Sequence, residues 1–259
     1  MREAAADLRR TLASFDLQHD SLAALPTELV VVDGQSADGS LQMAERWAAQ
    51  RGFPLTAEQQ APNGIYPAMN TAWRLAAGQW LLFINAGDLL LDMADVSGLL
   101  DQADENGIDS LQCRAAIFPT GCRWIVAPLR GAVACHQSLL YRRSLHESLG
   151  PYDERLGICA DLLLIGRIEQ GRHRCAPVLL AATQVSPGNA SRNPARVRDD
   201  LARLRHWQIP LKPWPSPQRT LLVLELEARL RFSLTVWIKV VLGLLQGSSR
   251  LIRLSDGLL

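Results

Sequence analysis

Residues 28–39 read ELVVVDGQSADG, and together with residues 80–88, WLLFINAGD, they decide the predicted fold. Each stretch opens with an apolar run and ends in small polar residues that include an acid, a pattern typical of buried parallel strands. A further strand is predicted at residues 54–58, and helical segments separate the three strands. This alternation predicts βαβ units, hence an α/β fold with a mixed, mostly parallel sheet flanked by helices.

Capping residues predict where the helices begin and end. Asp38 is the predicted N-cap of a helix that runs to residue 51, and Gly78 is the predicted C′ residue of a helix over 66–77. A further helix is predicted at 3–15. The second half of the chain is predicted to be α+β, with helices at 93–104, 142–149 and 160–170 and strands at 109–118, 122–127 and 174–182.

Composition places the chain among globular proteins. Its 259 residues are 48% hydrophobic and 20% charged, with a net charge of +1. The length suits one large α/β domain, or a domain with an appendage. The charge gives no electrostatic argument for a nucleic-acid partner. The five cysteines form no CxxC pair, and the first residues lack an apolar signal segment, so a reducing, cytoplasmic location is expected.

The last part of the chain is predicted to differ from the rest. A loop over 183–193 precedes a charged helix at 194–207, and the stretch IPLKPWPSP marks a linker. Residues 219–246 are predicted to form a helix with one apolar stripe. Its apolar part is too short to span a bilayer, so it either packs on the domain or contacts the membrane surface. The predicted divisions are a main domain, a helix with linker, and an amphipathic tail, at 1–190, 191–218 and 219–259.

Two predicted strand ends carry polar side chains that suit a ligand. In open α/β sheets ligands bind beyond the carboxyl ends of the strands. Asp33 lies at such an end. It either accepts hydrogen bonds from a nucleotide base or ribose, or it only closes a turn. Asn85 and Asp88 follow another buried strand. Asp88 either coordinates a hard divalent cation that bridges phosphates or forms a turn.

Two further residues are candidates in the second half. Asp161 begins the apolar helical run ADLLLIGRI, where it either caps the helix or serves as a general base. His136, in the segment HQSLLYRRSL, is a ligand, a substrate contact or a hydrogen-bonded core histidine. Spacing alone favours the helix cap for Asp161, and without further context the core histidine is favoured for His136.

Taken in order, four parts of the sequence resemble the family-two inverting glycosyltransferases of the GT-A fold, over residues 5–190. The resemblance is to the bacterial exopolysaccharide and colanic-acid type, and the ordered series carries it rather than any single motif. It implies transfer of a sugar from a nucleotide-diphosphate donor to a lipid-linked saccharide acceptor in cell-surface polysaccharide synthesis. The four parts are VVVDGQSADGS, NGIYPAMNTAWRLAAGQWLLFINAGD, HQSLLYRRSL and the segments of Asp153 and Asp161.

The resemblance implies donor-side roles at matching positions. Asp33 corresponds to the acid that contacts the nucleotide base. Asn70 falls near the donor, with Gly64 and Tyr66 in the preceding loop. Asn85 and Asp88 match the metal-binding motif, so Mg²⁺ or Mn²⁺ is expected on Asp88 together with the donor diphosphate.

It also implies acceptor-side roles. Asp161 matches the acid that deprotonates the acceptor hydroxyl, and His136 and Gln137 lie in the stretch that borders the acceptor. A lipid-linked acceptor is consistent with a cytoplasmic protein that touches the inner face of the cell membrane through its tail.

The sequence departs from the family at three places. Asn85 and Gly87 stand where many members carry acids, so metal affinity is expected to rest on Asp88 and the diphosphate. Pro67 replaces an acid common in the family. The family's first strand, with its nucleotide-contacting turn, is lacking. This predicts that the chain is shortened at its N-terminus, that two strands face a gap inside the sheet, and that donor binding is weak.

Another class of function stays open. The lacking strand and the reduced acidic motif favour a catalytically inactive nucleotide-binding or scaffold subunit of a polysaccharide assembly system. A sugar nucleotidylyltransferase shares the architecture, but the Gly-rich phosphate loop expected near its N-terminus is not found in this sequence. An assay for turnover of a nucleotide sugar would distinguish the inactive subunit from a transferase.

Overall fold

The computed structural model describes residues 1–119, 124–128, 135–185, 193–207 and 249–254. In this part of the chain no helix is both long and apolar enough to cross a membrane. The predicted proline-rich linker and the helix predicted at 219–246 lie outside the described residues, so they stay predictions. Of the tail predicted at 219–259, residues 249–253 are described, and they form a strand rather than a helix.

The elements follow the predicted alternation in the first half and an α+β order in the second. The helices are α1 (Ala5–Asp16), α2 (His19–Ala23), α3 (Ser40–Arg51), α4 (Ile65–Leu75), α5 (Val96–Glu105), α6 (Leu145–Leu149), α7 (Ala160–Ile168) and α8 (Pro194–His206). The strands are β1 (Leu29–Asp33), β2 (Leu55–Gln59), β3 (Trp80–Leu81), β4 (Leu89–Leu90), β5 (Ser110–Pro119), β6 (Trp124–Pro128), β7 (Leu139–Arg142), β8 (His173–Val185) and β9 (Ser249–Arg253). A 3₁₀ turn, His136–Ser138, precedes β7.

The strands form two sheets, a parallel pair and a larger mixed sheet. β1 and β2 pair in parallel through the crossover helix α3, as predicted. The larger sheet has the order β3-β7-β5-β6-β9, and β8 pairs with both β5 and β4. The pairs are mainly antiparallel rather than mostly parallel, since only β1–β2 and β5–β8 run parallel in the described part of the chain. Of the antiparallel pairs, β5 and β6 are joined by a short connection, which only antiparallel neighbours allow, whereas the others join strands far apart in the chain.

The two sheets are separate, because among the described strands none links β1 with β3. Met1 lies along the end of β1. Its amino group donates a hydrogen bond to the carbonyl oxygen of Val32 across 2.7 Å, and the N–H of Gly34 donates to the carbonyl oxygen of Met1 across 2.6 Å. The predicted shortening of the chain stays a prediction.

Three predicted boundaries in the middle of the chain are wrong. The strand predicted at 80–84 is limited to Trp80–Leu81, because its hydrogen-bonded register with β7 extends over these two residues only. α4 ends at Leu75, since Ala76 is already extended, with ψ 133°, so Gly78 is not its C′ residue. The helix predicted from residue 142 begins later, because the preceding residues form β7 and pair with β5.

The predicted cap of α3 is also displaced by one residue. Gly39, with φ +81°, occupies the N-cap position, and this left-handed conformation favours glycine. Asp38 accepts a hydrogen bond from the N–H of Ser40 (3.0 Å) through Oδ1 and from the N–H of Ala5 (2.8 Å) through Oδ2. Asp38 therefore joins the first turns of α1 and α3.

The apolar face of α8 packs on the same core as α7. Val197, Leu201 and Leu204 of α8 are buried in one cluster with Leu164 and Ile165 of α7. Burial of apolar surface is the main favourable contribution to such packing. It holds α8 against the start of α7, where Asp161 lies.

Candidate functional site

Asp161 lies in the first turn of α7 and is held from a second helix. The hydroxyl of Tyr66 donates to Asp161 Oδ1 across 2.9 Å, and the N–H of Leu162 donates to the same oxygen across 2.8 Å. Burial raises the pKa of Asp161 above its ordinary value, and the hydrogen bond from Tyr66 opposes this change. Both of these bonds go to Oδ1.

Tyr66 lies in the first turn of α4, where it is 3% exposed, rather than in the loop before it. Its ring stacks on that of Tyr152 with 5.8 Å between centroids. Burial raises the pKa of its phenol, so it stays protonated and able to donate. No sequence spacing connects Tyr66 with Asp161, so sequence reasoning missed this contact.

Asn70, on the next turn of α4, is buried with all its amide atoms engaged. Its Nδ2 donates to the carbonyl oxygen of Tyr152 (3.0 Å) and to Glu154 Oε1 (2.8 Å). Its Oδ1 accepts from the N–H of Tyr152 (2.9 Å) and from Trp73 Nε1 (3.3 Å). Asn70 therefore fastens α4 to the segment before α7, and a direct contact with a donor would require breaking one of these bonds.

His136 belongs to a buried hydrogen-bonded network. Its Nε2 lies 2.5 Å from the hydroxyl of Tyr152, which lies 2.8 Å from the hydroxyl of Tyr141. Tyr141 in turn lies 2.9 Å from Nε2 of His146. Burial lowers the pKa of His136 to about 3, so its imidazole is neutral. The ring of Phe83 packs on His136 with 5.0 Å between centroids and covers it from the β3 side.

Asp88 is a buried carboxylate at the end of the segment that joins β3 to β4. Its Oδ1 accepts from the N–H of Gln184 across 2.8 Å, while Oδ2 is buried without a hydrogen-bond partner in the described structure. Burial raises the pKa of Asp88 to about 7, and the side chain of Asn85 lies close enough to favour the charged form. The carbonyl oxygen of Asp88 accepts from the Thr11 hydroxyl across 2.8 Å, which ties the segment to α1.

Gly87 explains the departure from an acidic motif at that position. Its φ of +101° is strained for any other residue, and a Cβ built there would lie 2.4 Å from Oε1 of Gln184. An acid at this position would collide with Gln184. The structure therefore leaves Asp88 as the acid of this turn.

Gln137 and Asp88 lie around one cysteine. The Sγ of Cys135 donates to Gln137 Oε1 across 3.2 Å and lies 3.8 Å from the Thr183 hydroxyl. The charge of Asp88 raises the pKa of the Cys135 thiol after the larger effect of burial. The 3₁₀ turn thus places Gln137 against Cys135, while its neighbour His136 contacts Tyr152.

Asp33 ends β1 and is fully buried. Oδ1 accepts from the Ser36 hydroxyl (2.6 Å), and Oδ2 accepts from the N–H of Ser36 (2.8 Å) and from Gln59 Nε2 (3.3 Å). Both oxygens therefore contribute to closing the turn after β1.

The described residues contain no group of three His, Cys, Asp or Glu side chains that could hold a metal ion. Asp88 Oδ2 is nevertheless an orphaned buried oxygen, a feature that a cation can satisfy. The residues present fit a cation with one protein carboxylate, whose other ligands would come from a bound phosphate group and water.

An open groove of about 430 Å³ lies beside α7. Its walls are residues 149–155 and Leu163, Leu164 and Arg167 of α7, and Asn70 and Ala160 also line it. The groove thus touches Ala160, the residue before Asp161, while Asp161 itself does not line it.

The structure brings the predicted site residues together in separate groups. Asp161, Asn70 and His136 are connected through Tyr66 and Tyr152. Asn85, Asp88 and Gln137 lie together around the segment after β3 and the 3₁₀ turn. Asp33 has no described hydrogen bond to either group. Sequence reasoning missed the side chains that support these groups, namely Tyr152, Gln184 and Asp200.

The sequence is similar to a known protein family and to several curated proteins. Residues 1–150 match the family model described as "Glycosyl transferase family 2". Proteins described as "PGL/p-HBAD biosynthesis glycosyltransferase", from Mycobacterium bovis and Mycobacterium tuberculosis, are 34% identical over 142 residues, which cover 52% of this chain and 55% of theirs. The chain thus spans about half the length of the curated relatives it matches. The exopolysaccharide type rests on the sequence resemblance alone.

Solved structures show the same fold. The mannosyltransferase PcManGT from Pyrobaculum calidifontis, in complex with GDP-Man and Mn²⁺, has a TM-score of 0.59 at 20% identity and covers 91% of this chain and 69% of that chain. S. aureus TarS in complex with UDP-GlcNAc has a TM-score of 0.54 at 17% identity and covers 81% of this chain and 67% of that chain. At these identities the likeness shows the fold alone, and it confirms the predicted GT-A architecture.

Proposed function

Because the chain belongs to glycosyl transferase family 2, we propose that it transfers a sugar from a nucleotide-diphosphate sugar to an acceptor hydroxyl with inversion. The observation that carries this proposal is the environment of Asp161. Its carboxylate is oriented through Oδ1 by the buried hydroxyl of Tyr66, and we assign Oδ2 to the substrate; a groove touches the preceding residue, Ala160. A pKa raised by burial suits a general base, which works best when its pKa approaches the working pH.

The proposed reaction is a single displacement. Asp161 Oδ2 takes the proton of the acceptor hydroxyl while the hydroxyl oxygen attacks the anomeric carbon and the bond from that carbon to the diphosphate breaks. Holding the two substrates in line supplies much of the acceleration. No covalent enzyme intermediate is needed. Tyr66 contributes by fixing the orientation of the carboxylate.

On the donor side we propose that Asp33 contacts the nucleotide base and that Asn85 and Asp88 lie at the diphosphate. Asp88 would hold Mg²⁺ or Mn²⁺ through its orphaned Oδ2. The cation would offset the negative charge that develops on the leaving diphosphate. Asn70 would act on this side by holding the segment of Tyr152 in place.

On the acceptor side we propose that His136 and Gln137 border the saccharide. A lipid-linked acceptor, and with it a role in cell-surface polysaccharide synthesis, is supported by the arginines that flank the apolar tail. Flotation with anionic liposomes, comparing the full chain with one ending near residue 217, tests the membrane contact. Equal flotation of the two would contradict a role of the tail.

A catalytically inactive nucleotide-binding or scaffold subunit is the second candidate. It is favoured by one observation: the described residues hold no group of three side chains that could bind a metal ion. Such a subunit would bind a nucleotide sugar without turning it over.

The experiment is a screen of nucleotide sugars with the purified full chain, in which mass spectrometry detects transferred sugar and released nucleoside diphosphate. Asp161→Asn keeps the size of the side chain but removes its basicity, so transfer should fall by about 10²–10⁴-fold while donor binding is retained.

Asp101→Asn, at an exposed acid of α5, is the matched control and should retain full activity. Transfer by Asp161→Asn at the level of the unsubstituted chain would remove Asp161 from the mechanism. Donor binding without any turnover in the unsubstituted chain would favour the inactive subunit.

A further inference from the structure

The start of α7 is held by a carboxylate from another helix. Asp200 of α8 is 1% exposed, and it accepts three backbone hydrogen bonds from the residues that lead into α7. The N–H of Gly157 donates to Oδ1 across 3.0 Å, and the N–H groups of Ile158 and Cys159 donate to Oδ2 across 2.7 and 3.1 Å.

Cys159 is the N-cap residue of α7, and its own side chain makes no capping hydrogen bond. The N–H groups at the start of a helix need acceptors from outside the helix, and a negative charge there is favourable. A buried carboxylate that accepts several N–H bonds is a strong form of such an interaction. Asp200 satisfies the N–H of this N-cap residue and those of the two residues before it, while the N–H of Leu162 in the first turn goes to Asp161.

The position of Asp200 is itself fixed by packing. Asn193 caps α8 by accepting hydrogen bonds from the N–H groups of Ala195 and Arg196 at 3.0 and 3.3 Å, and Pro194 occupies the first turn. The buried leucines of α8 hold the helix on the core. Asp200 is thus a rigid anchor rather than a surface side chain that happens to reach the loop.

We propose that Asp200 is a positioning residue for the general base, which holds the first turn of α7 so that the Asp161 carboxylate meets the Tyr66 hydroxyl and the acceptor. This inference rests on the proposed function. It assigns a role to a helix that lies beyond residues 1–150, the part of the chain that matches the family model.

The charges around Asp161 provide a second test of the proposal, because they affect the pKa of Asp161. Tyr66 from α4 donates a hydrogen bond, which favours the charged carboxylate, whereas burial and the negative charge of Asp200 favour the protonated form. Tyr152 and Cys159 also face Asp161, and burial raises the pKa of both, so they are neutral. Arg203 lies 3.4 Å from Asp200 Oδ1 and is half exposed, so it offsets the charge of Asp200 in part.

The test compares Asp200→Asn with Asp199→Asn. The two acids are adjacent on α8, but Asp199 is exposed, so its substitution makes the same charge change without touching α7. For Asp200→Asn we expect kcat to fall at least tenfold, because small misplacements of a catalytic group are costly, while the KM for the donor stays within about twofold, as for any group that acts on the chemical step alone. The acid limb of the pH profile of kcat should move to lower pH, since losing a neighbouring negative charge lowers the pKa of Asp161. Asp199→Asn should change neither.

A double substitution distinguishes positioning from general damage. If Asp200 acts through Asp161, Asp161→Asn with Asp200→Asn should lose no more activity than Asp161→Asn alone. Additive losses, or a pH profile unchanged by Asp200→Asn, would overturn the proposal.

If circular dichroism shows that Asp200→Asn does not fold, Arg203→Met tests the same charge from the surface. Removing this cation should move the acid limb to higher pH with kcat retained above it, and an unmoved limb would count against the proposal. Full activity of Asp161→Asn would instead refute the proposed function, whatever Asp200 does.

Discussion

The hydroxyl of Tyr66 donates to Oδ1 of Asp161 across 2.9 Å and joins the first turns of two helices whose residues are 95 positions apart in sequence. The contact is buried, since Tyr66 is 3% exposed. It orients one carboxylate oxygen and leaves the other for chemistry. The pH dependence of the reaction follows from this arrangement.

Tyr66→Phe keeps the ring that stacks on Tyr152 but removes the hydrogen bond. Because this bond stabilises the charged carboxylate, its loss should raise the pKa of Asp161. Hydrogen bonds to charged groups contribute about 1.5–3 kcal/mol, so the acid limb of kcat should move about one to two pH units higher. Above the limb the variant should approach the activity of the unsubstituted chain, and a limb that stays in place would refute the role given to Tyr66.

Asp88→Asn tests the cation proposed at the donor diphosphate. The substitution keeps the shape of the side chain but replaces the orphaned carboxylate oxygen, so binding of a nucleotide-diphosphate sugar should weaken by at least tenfold in the presence of Mn²⁺. Calorimetric titrations with and without Mn²⁺ give the measurement. Binding that is independent of Mn²⁺ in both proteins would show that Asp88 holds no cation.

His136 should make the fold sensitive to acid. Its pKa is lowered from about 6.5 in the unfolded chain to about 3 in the buried network. The unfolded chain therefore binds more protons between these values, and stability is lost as the pH falls below about 6.5, by about 2 kcal/mol at pH 5.

Urea unfolding of His136→Gln between pH 7 and pH 4 should show a shallower loss of stability than the unsubstituted chain. His206→Gln, at an exposed position of α8, is the control and should leave the slope unchanged. Equal slopes for all three proteins would mean that His136 does not titrate as inferred.

Gly87→Ala should lower the melting temperature more than Gly52→Ala. Both glycines have positive φ, +101° and +74°, where a side chain costs about 1–2 kcal/mol. A Cβ at position 87 also meets Gln184 Oε1 at 2.4 Å, whereas nothing lies within 4 Å of one at position 52. The difference between the two variants measures the contact with Gln184. Equal melting temperatures would show that Gln184 moves aside without cost.

Local pattern predicted the elements that depend on neighbouring residues. The apolar runs at β1 and the charged segment of α8 lie where predicted, within one or two residues. The strand at residues 80–84 was predicted too long, because a strand extends only as far as a partner pairs with it, and β7 pairs with two of its residues.

The roles of the side chains in the site likewise depended in part on local sequence and in part on long-range packing. Asn70 and His136 are polar residues whose sequence context was compatible with a ligand. In the structure both amide atoms of Asn70 are engaged, and Nε2 of His136 is engaged by the hydroxyl of Tyr152. Whether a polar side chain faces a ligand or the core depends on what packs against it, which periodicity does not reveal.

The sequence by itself determined the βαβ start, with Asp33 at the end of β1, and the helix that begins at Ala160, because hydrophobic periodicity and capping act over a few residues. Only the tertiary structure decided that Tyr66 and Asp200 meet at that helix start, and that Asp88 retains an unpartnered oxygen. These contacts join residues far apart in the chain. They depend on how α4, α7 and α8 pack on a common core, so no local pattern encodes them.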